Sequence, residues 1–188
     1  MSSVRKLRTL TECALLVAMA VVLNFIKFAP WPNGGSITLG AMVPLVYLSL
    51  RHGYKWGLLS SFVYSILQMA LDRVIVPAGE SIGQYLMVAL LDYVIAYTVL
   101  GLASVFARPF SKETTGAVVG AAAATCLRYG CHILSGILIW GAYAPEGMPV
   151  WLYSVVYNGS YMIPEIIITA VLTGLLVKFV PAKGKIAL

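Results

Sequence analysis

Apolar residues fill this chain in long runs, and the short breaks between them carry most of its charge, glycine and proline. The first run extends from about Leu10 to Phe28 and stops at APWPNGGS (29–36). A shorter run, Leu39 to Leu50, ends at the basic RHGYK (51–55). The third covers about Trp56 to Leu71, before a linker from Asp72 to Ser81 containing Pro77 and Gly79. Ile82 to Phe106 forms the fourth and gives way to ARPFSKE (107–113). The fifth spans about Thr115 to Trp140, GAYAPEGMP (141–149) turns the chain, and the sixth extends from about Val150 to Val180, with Pro164 inside it. An α-helix needs about 20 apolar residues to cross a ~30 Å hydrocarbon layer. The pattern predicts an all-α integral membrane protein with six transmembrane helices in one compact bundle, a single domain over residues 1–188.

Composition supports that reading. Hydrophobic residues make up 60% of the chain and charged residues 11%, against about 25% charged in a soluble domain; mean hydropathy is +0.89. The net charge of +6 does not indicate nucleic acid, because the cations cluster beside apolar runs as membrane topology requires. Arg5, Lys6 and Arg8 precede helix one, Arg51 and Lys55 separate two from three, and Arg108 and Lys112 separate four from five. Lys178, Lys183 and Lys185 close the chain. With six spans, all four groups fall on one side, so both termini are expected in the cytoplasm. The loops at 29–38, 72–81 and 141–149 then face out. The first run lacks a small-x-small cleavage site and is read as a retained helix rather than a signal peptide.

Several chemistries lack their residues. There is no Walker-type GxxxxGK[ST] loop, so work driven by ATP would need a separate nucleotide-binding subunit. No HExxH, GxSxG or intramembrane pair of aspartates supports an enzyme. Cys13, Cys126 and Cys131 are read as small buried hydrophobes. No metal or cofactor is expected.

Polar groups at bilayer depth are costly and usually face a bundle interior or cavity. Helix four carries Asp92 and Tyr93, and helix five carries Arg128, His132, Gly136 and Trp140 at successive four-residue steps. Each such step turns a helix by about 400°, so the four residues trace one slowly winding stripe. Helix six adds Tyr153, Tyr157, Asn158, Tyr161 and Glu165. Asp92 is expected at the depth of His132, with all three helices facing one outward-opening cavity. A carboxylate among aromatic rings suits a flat, cationic small molecule. Gly136 would let a planar ligand lie against backbone. Arg128 could instead pair with Asp92, and Glu165 admits three roles: pocket floor, partner of Arg128 or neutral acid. Small residues at four-residue spacing, Ala14 with Ala18 and Gly116 with Gly120 and Ala124, mark close helix approaches. For the first pair a partner protein competes with packing inside the bundle.

LDY (91–93), RYGCHILSG (128–136) followed by Trp140, and APEGMPVWLYSVVYN (144–158) together resemble the thiamine-specific S component of energy-coupling factor transporters, the ThiT family. The resemblance covers nearly the whole chain and includes GGSITLG (34–40) after helix one. It implies a non-enzymatic membrane subunit that captures thiamine from outside and delivers it by toppling when docked on a transmembrane coupling protein driven by two ATPase subunits. The family's pocket falls on Asp92, Tyr93, Arg128, His132, Gly136, Trp140, Tyr153 and Asn158, with Trp31 as an aromatic lid. Its coupling motif falls on Ala14 and Ala18. The alternatives are an S component for another vitamin or a pyrimidine precursor and, from a different class, a membrane enzyme or scaffold.

Overall fold

The computed structural model describes residues 3–28, 31, 33–71, 74–77 and 81–182. Gly79 of the third linker and the closing Lys183 and Lys185 lie outside the described residues. The main helices are Ser3–Asn24 (α1), Val43–His52 (α2), Tyr54–Leu71 (α3), Ile82–Ala107 (α4), Glu113–Leu138 (α5) and Val150–Phe179 (α6). Of these, α1, α4, α5 and α6 are long and apolar enough to cross a membrane.

Helix α1 begins at Ser3 rather than near Leu10, because Arg5, Lys6 and Arg8 are good helix formers and extend it. It also stops at Asn24, short of Phe28. Lys27–Phe28 (β1) leaves the helix to pair antiparallel with Ile37–Thr38 (β2), giving the otherwise helical fold a two-residue ladder. The segment 51–55, expected as a loop, is nearly all helix. Only Gly53, at φ +84°, separates α2 from α3.

Every residue of Ala41–Leu50 is buried, so α2 is the central post around which the longer helices stand. Small residues permit this crowding. A Cβ on Gly57 of α3 would lie 2.7 Å from both Gly101 O and Ser49 Cβ, so α2, α3 and α4 meet at backbone distance. Ser49 Oγ donates to Gly101 O at 2.5 Å, a carbonyl carried on a tight 3₁₀ turn (Val99–Leu102) within α4. Where no water reaches, such a pairing is required of any carbonyl freed from its helix.

Gly116 and Gly120 have the packing role expected of their spacing. Added Cβ atoms would stand 2.9 Å from Ala107 O and 2.5 Å from Ala103 O, so the row seats α5 on α4. Ala14 and Ala18 are different: both are exposed, on a flank of α1 about 100° round from the buried Cys13 and Val17. Exposed Leu15, Met19, Ile163, Ile167 and Val171 give the bundle an apolar outer surface, as a hydrocarbon solvent requires.

One end of the bundle gathers segments distant in sequence. Arg51 Nε donates to Glu12 Oε2 at 2.8 Å, Arg108 lies over the Tyr54 ring, and Tyr47 OH donates to Val180 O at 3.3 Å. At the other end, the segment from Asn33 to Thr38 folds over α6.

Candidate ligand-binding site

A cavity of about 320 Å³ opens between α3, α4, α5, α6 and the segment 31–42, within the size range of small-molecule pockets. All nine residues singled out as substrate-binding from the sequence line it: Trp31, Asp92, Tyr93, Arg128, His132, Gly136, Trp140, Tyr153 and Asn158.

Its centre is Asp92. The helix around it widens into a π-helical stretch, Ala89–Ile95, a distortion frequent at functional sites. Asp92 reaches α5 with both oxygens. His132 Nδ1 lies 2.8 Å from Oδ1, and Ser135 Oγ donates to Oδ2 at 2.5 Å. An ionised carboxylate only accepts, so the proton sits on His132 Nδ1. A carboxylate has about four lone-pair sites. Among the described residues, two of these are taken. His132 Nε2 is buried without a hydrogen-bond partner.

Arg128 does not pair with Asp92. One helical turn away, it stacks on Tyr97 with its guanidinium carbon 4.1 Å from the ring centroid, and its Nη1 donates to Met42 Sδ at 2.9 Å. Its Nε is buried and unpartnered. Glu165, whose role the sequence left open, is 2% exposed. Its Oε1 accepts from Thr38 N and, at 2.8 Å, from Thr38 Oγ1, while Oε2 has no partner.

Asn158 lines the cavity with its amide turned to the protein. Nδ2 donates to His132 O at 3.2 Å and Ser154 O at 2.9 Å, and Oδ1 accepts from Tyr161 OH at 2.6 Å. It thereby locks α6 to α5 beside His132. Gly136 lines the cavity and also serves the same seam. A Cβ there would lie 2.1 Å from Ser154 Oγ and 3.2 Å from Asn158 Nδ2.

Aromatic rings form much of the remaining wall. Tyr153, Tyr157 and Tyr161 stand in succession on α6, with centroids 5.6 and 6.4 Å apart. Tyr161 meets His132 edge-on at 6.0 Å and Trp31 at 5.7 Å. Trp140 packs on Tyr143 at 5.6 Å. The loop is fastened over them: Asn33 N donates to Tyr157 OH, which donates to Gly34 O, each at 3.0 Å. Gly35, at φ +96°, passes so close to Tyr161 that a Cβ would stand 2.5 Å from the ring.

Sequence reasoning missed the contribution of α3, whose Tyr64 and Gln68 line the cavity, and of Asn24 and Tyr97. A usable signal existed. Gln68 is an amide in a hydrophobic run, four residues after Tyr64, on the face that the buried Ser61 and Ser65 share.

Taken together, the apolar helices and the carboxylate held within an aromatic-walled, loop-covered cavity define a multi-pass membrane protein built to bind a small molecule. The chain belongs to the thiamine transporter protein family, whose sequence profile matches residues 10–184. It is 33% identical over 192 residues to the thiamine transporter ThiT of Bacillus subtilis, covering 96% of each chain. It is 29% identical to ThiT of Lacticaseibacillus paracasei, over 94% of this chain and 90% of that one. Its fold matches the solved structure of ThiT from Listeria monocytogenes with a TM-score of 0.77 at 25% identity, covering 94% and 97% of the two chains.

Proposed function

We propose that the protein is the high-affinity thiamine-binding S component of an energy-coupling factor importer. Asp92 would accept hydrogen bonds from the aminopyrimidine, Trp140 would stack on a ring, and His132 would pack near the thiazolium. Tyr93, Tyr153, Arg128 and the Asn158–Gly136 seam would complete the wall, with Trp31 and the loop behind it closing over the ligand. The observation that carries this reading is the Asp92 carboxylate, anchored by His132 and Ser135 inside an aromatic cavity. A cationic ring gains from both the charge and the π-faces.

Six spans with both termini in the cytoplasm accord with this role. The Glu12–Arg51, Tyr54–Arg108 and Tyr47–Val180 contacts bring to one end of the bundle the segments whose cations the positive-inside rule assigns to the cytoplasm. The cavity's covering loop lies at the other end. Ala14 and Ala18 leave a shallow exposed face for the coupling protein, and ATP hydrolysis falls to two partner subunits.

The test is titration of the purified protein with thiamine, followed by intrinsic tryptophan fluorescence. Saturable quenching at or below micromolar thiamine is expected. No response to thiamine together with a response to another vitamin would refute the ligand assignment. Uptake of labelled thiamine should depend on co-expressed coupling and ATPase subunits.

A further inference from the structure

Helix α1 has a small buried face. Its buried residues are Thr9, Cys13, Val17, Ala20 and Asn24, and it packs chiefly on α2 and α3. None of these is a large apolar side chain, and hydrocarbon gives helices no hydrophobic drive to associate. The roll of α1 therefore depends on polar contacts.

Glu12 supplies them. It is the only acidic residue of the chain before Asp72, and three basic side chains converge on its carboxylate. Arg51 Nε donates to Oε2 at 2.8 Å and Arg51 Nη2 donates to Oε1 at 3.5 Å. His52 Nε2 lies 3.0 Å from Oε2, and Arg8 Nε donates to Oε1 at 3.2 Å. A guanidinium that meets both carboxylate oxygens fixes orientation as well as distance. The Glu12 and Arg51 side chains are 25% and 24% exposed, so water only partly screens the pair. Arg51 is braced in turn. Its Nη1 donates to Tyr47 OH at 3.4 Å, and that hydroxyl donates to Val180 O just past the end of α6. The end of α2 thus ties α1 to the end of α6.

At about 100° per residue, Ala14 and Ala18 lie about 160° and 120° round the helix from Glu12. The carboxylate faces away from a partner seated on that flank, yet it determines which way the flank points. We propose that Glu12 is a positioning residue for transport: by clamping α1 to Arg51 and His52, it presents the Ala14–Ala18 flank to the coupling protein. The proposal rests on the reading above that this flank receives the coupling protein. Ligand binding is left alone, because Arg8, Glu12, Arg51 and His52 are not among the residues lining the cavity.

The test pairs fluorescence titration of purified protein with uptake of labelled thiamine in cells expressing the coupling and ATPase subunits. Uptake is normalised to the thiamine-binding protein in the membrane, so a loss of folded molecules does not register. Glu12→Gln should bind thiamine within about twofold of wild type and lose uptake by on the order of tenfold. Arg51→Glu should lose uptake likewise. Glu12→Arg combined with Arg51→Glu exchanges the two charges on the same side of the membrane and keeps the positive-inside balance. It should recover uptake severalfold over either single variant, about as expected for two residues that act as a pair. Weakened binding in Glu12→Gln, or an exchange variant no better than the single ones, overturns the inference. Normal uptake in Glu12→Gln while Ala14→Trp is blocked also overturns it and leaves the docking flank standing. Normal uptake in both Ala14→Trp and Ala18→Trp overturns the two together.

Discussion

His132 and Asp92, 40 residues apart in sequence, share a 2.8 Å contact that fixes the orientation of a carboxylate on the cavity wall. Ser135, one turn further along α5, holds the other oxygen. Asp92 is thus preorganised: a ligand meets a charge already aimed, and none of its binding energy is spent on ordering that side chain.

Asp92→Asn tests the charge. The asparagine fits the same space and can still accept from His132 or Ser135, but it loses the negative charge and one acceptor. A lost charge-assisted hydrogen bond should weaken thiamine binding by about 1.5–3 kcal/mol. Calorimetric titration of the variant measures this directly, and an unaltered dissociation constant would place Asp92 outside the ligand's contacts.

Tyr157→Phe tests the loop. The phenol accepts from Asn33 N and donates to Gly34 O, while the ring stays within the tyrosine row in either form. Losing the hydroxyl removes both of these bonds, while Thr38 still holds the far end of the loop to Glu165 of α6. Thiamine should then leave about tenfold faster, equivalent to roughly one net hydrogen bond, with its association rate little changed. Stopped-flow fluorescence separates the two rates. Slower association with unchanged dissociation would argue against a covering role.

Gly136→Ala tests the seam between α5 and α6. The new methyl would meet Ser154 Oγ at 2.1 Å, and Ser154 cannot withdraw without giving up its bond to Ile133 O. Overpacking of this kind should cost about 1–3 kcal/mol, seen as a lower thermal midpoint in detergent. Ser154→Gly in the same molecule removes the obstruction and should recover part of the loss. If the single variant is as stable as wild type yet binds poorly, Gly136 owes its place to the ligand after all.

Much of this architecture is legible in the sequence because helical periodicity carries it. The Arg128–Trp140 stripe faces one cavity, and Asp92 stands level with His132, as spacing and depth imply. Periodicity is blind to what lies across the gap. It places Gly136 on the right face but cannot show that Ser154 occupies the space before it, nor that Tyr97 rather than Asp92 receives Arg128. The contribution of α3 was obscured for a related reason. Tyr64 and Gln68 sit among serines that pack as readily as they bind, so the Gln68 amide marks the buried side of that helix without separating a cavity wall from packed interior. The β1–β2 pair is two residues long, too short to leave an alternating pattern.

The exposed pair Ala14 and Ala18 provides a test that separates binding from transport. Both alanines point away from the bundle, and the buried face of α1 is carried by Cys13, Val17 and Ala20. A bulky residue at either exposed position therefore strikes nothing inside the protein. It would, however, hold off any helix seeking close contact with that face, since small residues are what allow backbones to approach in a membrane. Ala14→Trp and Ala18→Trp should bind thiamine within about twofold of wild type, because packing inside the bundle is undisturbed. Uptake into cells expressing the coupling and ATPase subunits should fall by on the order of tenfold or more, because the close helix contact is lost. Fluorescence titration and labelled uptake measure the two properties separately. Normal uptake in both variants would move the coupling surface elsewhere, and lost binding would mean that α1 packs this face inward in the working protein.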